Sequence, residues 1–106
     1  MTVLNLKRGD TLELGVKLVD DNNQPIDLTG YTIKMDGKYL DNDLAFSLRT
    51  GNGITITNKE EGEYKIELNN TDFRIGKIKT DIQYNKNGNI KSTDTFYIDV
   101  IEDITA

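Results

Sequence analysis

Apolar and polar residues alternate one by one along most of this chain. Leu12, Leu14, Val16 and Leu18 are interleaved with Glu13, Gly15 and Lys17. The same beat recurs at Tyr31, Ile33 and Met35, at Leu44, Phe46 and Leu48, and at Ile54 and Ile56. It returns at Tyr64, Ile66 and Leu68, at Ile78, Ile82 and Tyr84, and at Phe96, Ile98 and Val100. Successive side chains of an extended strand point to opposite faces, so each segment has one apolar and one polar side. One-sided strands of this kind predict antiparallel sheets, buried on one face and wet on the other. Nowhere does the chain carry the continuous apolar runs of a parallel sheet, or a helical-length stretch with apolar residues at i, i+3, i+4 and i+7.

The gaps between these segments have turn chemistry. Asp20-Asp21-Asn22-Asn23-Gln24-Pro25 is a polar loop closed by the single proline. Asp36-Gly37 predicts a tight hairpin, because both residues tolerate positive φ. Gly51-Asn52-Gly53 breaks the chain before the Ile54 segment, and Lys59-Glu60-Glu61-Gly62 suits a short hairpin loop. Asn85-Lys86-Asn87-Gly88-Asn89 predicts another hairpin, built around Asn-Gly. The segment Asn69 to Gly76 differs from the rest. Asn70 or Thr71 can cap a helix and Gly76 can end one, so one helical turn is expected there, with Phe73 or Ile75 plugging the core. Residues Glu102 to Ala106 are expected to trail from the last strand.

Seven to eight short strands with frequent turns predict a two-sheet antiparallel β-sandwich, or a small barrel. One flat sheet would leave seven apolar faces uncovered, whereas two sheets packed face to face cover them. No linker, repeat or low-complexity stretch interrupts the chain, so residues 1–106 are expected to form one domain.

Composition narrows the function classes. Of 106 residues, 36% are hydrophobic and 29% charged, enough apolar content for one core. The net charge of −5, with scattered lysines, argues against nucleic acid as a partner, because the phosphate backbone would be repelled. Cysteine and histidine are both missing, so thiol nucleophiles, zinc-thiolate sites and the commonest neutral-pH general base are excluded. No apolar run reaches bilayer-spanning length, and the first residues lack the apolar centre of a signal peptide. The expectation is a protein retained in a cytoplasm until it joins something larger, with no membrane insertion.

Candidate chemistry is sparse. Asp20-Asp21-Asn22-Asn23 and Asp41-Asn42-Asp43 offer oxygen ligands for calcium. Neither has the spacing or closing glutamate of a calcium loop, and Asp and Asn are ordinary turn formers. Glu60, Glu61, Glu63 and Glu67 could supply a carboxylate pair for glycoside hydrolysis. A catalytic acid needs a partly dry, concave setting, and these lie on a polar strand face beside a loop tip. Gly51 and Gly53 precede a strand, whereas phosphate-binding loops precede a helix. Asn69-Asn70-Thr71 is a formal glycosylation sequon without a secretory signal. No catalytic, cofactor or metal residues are assigned. Tyr31, Phe46, Tyr64, Tyr84 and Phe96 share the apolar parity and are expected in the core. Tyr39 is unplaced, and Tyr97 and Ile101 share the face opposite Phe96, Ile98 and Val100. Tyr39, Tyr97 and Ile101 are therefore the candidate contact residues, weighed against incidental exposure.

The order of segments resembles the small immunoglobulin-like domain of tailed-phage virions, and is similar to the N-terminal domain of phage upper baseplate proteins. Four stretches carry the resemblance. They are Lys7-Arg8-Gly9-Asp10-Thr11, Leu18 through the Pro25-Ile26-Asp27-Leu28-Thr29-Gly30-Tyr31-Thr32-Ile33 segment, Gly53–Thr57 with Gly62–Ile66, and Gly76–Tyr84 with Asn87-Gly88 and Phe96–Val100. Together they cover nearly the whole chain, and Pro25 to Ile33 is the most specific. The resemblance implies an immunoglobulin-like sandwich in a non-enzymatic virion structural protein of a tail, baseplate or fibre. It further implies contacts with other virion proteins, or self-association into a ring or oligomer, after assembly in the host cytoplasm. The Ile26–Gly30 segment also has a plain physical role. Ile26 and Leu28 can anchor a link between sheets, while Asp27 or Thr29 bonds the backbone at a corner. Two other functions are weaker alternatives: a carbohydrate- or surface-binding module using Tyr39 or Tyr97, disfavoured by the lack of tryptophan to stack on sugars, and a small acidic inhibitor of a host nucleic-acid enzyme, permitted by the negative charge but disfavoured by lysines mixed among the acids.

Overall fold

The computed structural model of the chain describes residues 3–69 and 71–102. Nine strands run through them: β1 (Val3–Lys7), β2 (Leu12–Lys17), β3 (Thr32–Tyr39), β4 (Leu44–Thr50), β5 (Gly53–Asn58), β6 (Glu63–Leu68), β7 (Gly76–Lys86), β8 (Asn89–Ser92) and β9 (Phe96–Ile101). Backbone hydrogen bonds join them in one path, β1-β9-β7-β3-β4-β5-β6-β2, with β8 paired to β7 beside it. The result is an all-β domain whose single sheet curls into a nearly closed barrel.

Inward-facing residues of most strands meet at the centre. Ile33, Ile54, Ile78 and Ile98 have no solvent exposure, and Tyr64, Ile66, Met35 and Val100 have almost none. The period-two pattern places them there, since residues of equal parity share a face. Leu12, Leu14, Val16 and Leu18 also pack on this core but stay half-buried, because β2 ends the sheet and has one strand neighbour.

Several expectations are corrected. Two strands are added to the alternating segments: β1, which pairs parallel to β9, and β8, which extends the hairpin after β7. The sheet is also not wholly antiparallel, as β4 and β5 run parallel through two register pairs, Arg49↔Gly53 and Thr50↔Ile54. Parallel neighbours normally need a long crossover. Here the chain makes a corner at Gly51, with Gly51 N–H donating to the Ile54 carbonyl at 2.9 Å. Asp36-Gly37 is not a hairpin turn. It lies inside β3, and the turn comes later, at residues 40–43. Long-range pairing with β7 over eight residues, Thr32 to Tyr39, overrides the local turn preference. No helical turn forms among the described residues between β6 and β7. Instead residues 71–75 run as an irregular link, from which Phe73 is buried and Ile75 is exposed. A capping role for Asn70 and the path of residues 103–106 lie outside the described residues.

Other turns match their chemistry. Asp20 accepts hydrogen bonds from the Asn22 and Gln24 amides, each at 2.9 Å, and closes the polar loop. Asp27 accepts from the Thr29 amide at 2.9 Å and the Thr29 hydroxyl at 2.6 Å, making the expected corner beside buried Leu28. These bonds from Thr29 hold the Asp27 carboxyl below its ordinary range. Gly62 turns the β5–β6 hairpin at φ 70°, where a Cβ would fall 2.5 Å from the Leu18 carbonyl oxygen. That position admits glycine alone.

The two ends of the sheet, β1 and β2, are consecutive in sequence and joined by residues 8–11. Arg8 N–H donates to the Ile101 carbonyl at 2.8 Å and Gly9 N–H to the Thr71 carbonyl at 3.1 Å. The buried Thr71 hydroxyl donates to the Asp10 carbonyl. The barrel's gap is thus spanned by a tied link and not by strand pairing.

Candidate protein-contact site

The turn between β3 and β4 is built from Leu40-Asp41-Asn42-Asp43. Asn42 N–H donates to the Tyr39 carbonyl and Tyr39 N–H to the Asp43 carbonyl, both at 2.9 Å. Asp41 accepts from the Asp43 amide at 3.0 Å, and Asn42 takes a positive φ of 74°. Asn and Asp serve such turns because their side chains bond nearby backbone and tolerate left-handed conformations.

Arg74, from the link before β7, fastens this turn. Its backbone N–H donates to the Tyr39 phenol oxygen at 3.2 Å, and its guanidinium lies 4.4 Å above the Tyr39 ring centre. Its two terminal nitrogens reach Asp41 at 3.2 Å and Asp43 at 2.9 Å. The hydrogen bond to Asp43, then the charge of Asp41, raises the guanidinium further above its ordinary range. A fork of donors facing two carboxylates suits arginine better than lysine. Lys79 adds a bond from its ammonium to the Asn42 side-chain oxygen.

Around this cluster, three large apolar residues face solvent: Leu40 at 61%, Leu44 at 60% and Ile75 at 56% exposure. Each is the chain neighbour of a residue in the ion-paired cluster. Phe73, on the same link, points the other way and stacks at 5.9 Å on Phe46 in the core. The link therefore anchors itself inward through Phe73 and holds the turn outward through Arg74. A turn held in one shape presents its apolar side chains without having to order its backbone on binding.

No protein-family model, no curated protein and no solved structure matches this chain.

Of the residues singled out by sequence, Tyr39 lies at this turn. It is half-buried, its hydroxyl is engaged and one ring face is covered by Arg74. A sugar would find that face occupied. Tyr97 and Ile101 lie elsewhere, on the outer face of β9. Tyr97 stands between Val3 and Lys79 in register, and Ile101 stands opposite Lys7. Val3 and Ile101 are exposed and Tyr97 is half-buried, with Asp99 between the two candidates. Tyr39 aligns with Ile78 and Tyr97 with Lys79, so the two tyrosines belong to opposite faces of the sheet. They do not form one site.

The acidic clusters are engaged within the fold. Asp41 and Asp43 are turned to Arg74, Glu61 lies 3.9 Å from Lys17, and Glu67 lies 3.7 Å from Lys65. Among the described residues no group of three His, Cys, Asp or Glu could hold a metal ion. An open cleft of about 780 Å³ runs between the Asp20 loop and the β8 hairpin, where exposed Ile90 forms part of the rim and Lys86 sits 5.3 Å over the Tyr31 ring.

Leu40, Leu44, Arg74 and Ile75 escape the sequence pattern. Leu44 shares parity with buried Phe46 and Leu48, yet a register shift between Gly37 and Lys38 sets it opposite exposed Lys38, on the outer face. Arg74 carries no local signal, because its partners are more than 30 residues away along the chain.

Proposed function

We propose that this chain is a non-catalytic structural module of a tailed-phage virion, working through protein–protein contacts at the β3–β4 turn. One observation carries the proposal: Leu40, Leu44 and Ile75 are exposed around a turn fixed by Arg74. Exposed apolar groups grouped in this way are characteristic of interaction sites. The resemblance carried by Pro25 to Ile33 supplies the virion context, with assembly in the host cytoplasm and a place in the tail, baseplate or fibre.

The strand order supports an immunoglobulin-like sandwich. The β4–β5 junction is only two register pairs wide, so the path divides naturally into a β1-β9-β7-β3-β4 layer and a β5-β6-β2 layer. Two layers closing on one core is the packing such domains use.

The test is incorporation into particles. Gradient-purified virions produced with the intact gene should contain the chain at a fixed ratio to the major tail protein. The double variant Leu40→Asp/Leu44→Asp should fold normally by circular dichroism and be lost from the particles. Particles that never contain the wild-type chain would overturn the proposal.

A further inference from the structure

We propose that β2 pairs antiparallel with β2 of a second copy, across a twofold axis at Gly15, so that two barrels share one continuous sheet. The proposal does not rest on the virion reading, because it concerns a different surface and a different partner.

β2 is the last strand of the sheet, and no described residue pairs with its outer edge. It has no proline and no register shift against β6, and the two charges it carries, Glu13 and Lys17, are of opposite sign. Its inward residues Leu12, Leu14 and Val16 remain half-buried, whereas the core residues of β6 are covered.

The backbone phase of that edge is set by Leu18. Leu18 N–H donates to the Gly62 carbonyl at 2.8 Å, on the β6 side. Backbone groups alternate in direction along a strand, so those of Leu12, Leu14 and Val16 also face β6. The N–H and C=O groups of Glu13, Gly15 and Lys17 therefore face outward, unpaired by any described residue.

An antiparallel partner centred on Gly15 satisfies all of them. Gly15 meets its own symmetry mate, and Glu13 meets the partner's Lys17, each exchanging backbone hydrogen bonds. Glu13 and Lys17 are both exposed and lie on one face, so the side chains of each such pair attract. The twofold axis forms this charge pair twice. On the inner face Leu14 meets the partner's Val16 and Leu12 meets the partner's Leu18, which extends the apolar layer. Other registers lose this match. Moving the axis to Glu13 or Lys17 sets like charges opposite each other, and moving it to Leu14 or Val16 sets each charge against an uncharged residue. The Lys17–Glu61 ion pair within the chain, at 3.9 Å and half exposed, is a weak competitor.

Gly15 supplies an independent observation. Glycine inside a strand is destabilising by about 0.5–1 kcal/mol relative to alanine. At Gly15 a Cβ would meet nothing within 4 Å, and φ is not in the left-handed region. Nothing within the protomer calls for glycine there. Close approach of another backbone is a standing reason for glycine in a strand, and at the twofold axis Gly15 faces its own symmetry mate. The other end strand lacks this symmetry, since β1 carries Lys7 with no acidic counterpart. Twofold self-pairing is also the commonest mode of oligomerisation.

Sedimentation of the full chain over a concentration series tests the proposal. A species of twice 12.0 kDa should form reversibly. Glu13→Lys and Lys17→Glu should each weaken the dimer by about tenfold or more, since attraction becomes repulsion at both symmetry-related pairs. The double variant E13K/K17E should restore it, because the pairs re-form with signs exchanged. Circular dichroism distinguishes loss of pairing from loss of fold, and a folding defect would not be rescued by the second charge change. A chain that stays monomeric to about 1 mM, or a dimer indifferent to both single changes, would overturn the proposal. A dimer that forms while the chain is missing from particles would sink the virion assignment and leave this pairing standing.

Discussion

The phenol oxygens of Tyr64 and Tyr84 lie 2.5 Å apart inside the core, with their rings edge to face at 6.1 Å and 77°. Tyr64 is 1% exposed and Tyr84 7%, so each hydroxyl depends on the other for a hydrogen bond away from water. Among the described residues no buried side-chain nitrogen or oxygen is left without a partner. The pair joins β6 to β7, strands that are not neighbours in the sheet, and so ties opposite walls of the barrel.

Removing one hydroxyl should cost more than removing both would suggest. Tyr84→Phe strands the Tyr64 hydroxyl in the core, at about 1–3 kcal/mol. Tyr64→Phe does the same to Tyr84. The double variant Y64F/Y84F leaves no orphan, so its loss in urea unfolding should be smaller than the two single losses added together.

Alkali should expose the same pair. Burial raises both phenols above the ordinary tyrosine value, and for Tyr64 the bond to Tyr84 adds to it. The unfolded tyrosines ionise near 10, whereas the folded ones stay protonated to higher pH. Their contribution is therefore fully present below about pH 10 and declines as pH rises beyond it. Urea midpoints measured from pH 8 to 11 should fall at the alkaline end, and the fall should be shallower in Y64F/Y84F.

Gly37 should resist enlargement. It stands opposite Phe46 in the β3–β4 register, and a Cβ on it would fall 2.1 Å from a ring carbon of Phe46. The ring cannot swing away freely, because Phe73 packs on it. Gly37→Ala should lower stability by about 1–3 kcal/mol through overpacking. Adding Phe46→Leu should recover part of that loss, and calorimetry on both variants would show it.

Arg74→Gln should loosen the β3–β4 turn without unfolding the domain. Its ion pairs are solvent-exposed, so global stability should change little. The Asn42 and Asp43 amides, whose acceptors belong to that turn, should exchange with solvent faster. Unchanged exchange there would mean that the turn holds its shape without Arg74.

Much of the fold was legible because strand parity is a local property. Ile33, Ile66, Ile78 and Ile98 alternate with polar residues, and each reaches the core. Asp27, Thr29 and the Asn87-Gly88 turn were legible for the same reason, since their bonding partners lie within a few residues. Asp36-Gly37 misled because its turn preference is weaker than pairing with two strands at once. Thr71 departs from the expected helical turn because its partners, Gly9 and Asp10, are about 60 residues away along the chain.

The sequence alone determined that the chain is all-β and which side of most strands is apolar, because a period of two needs no knowledge of neighbours. Only the tertiary structure decided which strands meet, which strand is left at the edge and which apolar residues stay exposed. Arg74 reaches Asp41 and Asp43, and β2 ends the sheet, through contacts between residues distant in the chain. Such contacts follow from the closure of the whole sheet around one core, and no local pattern records them.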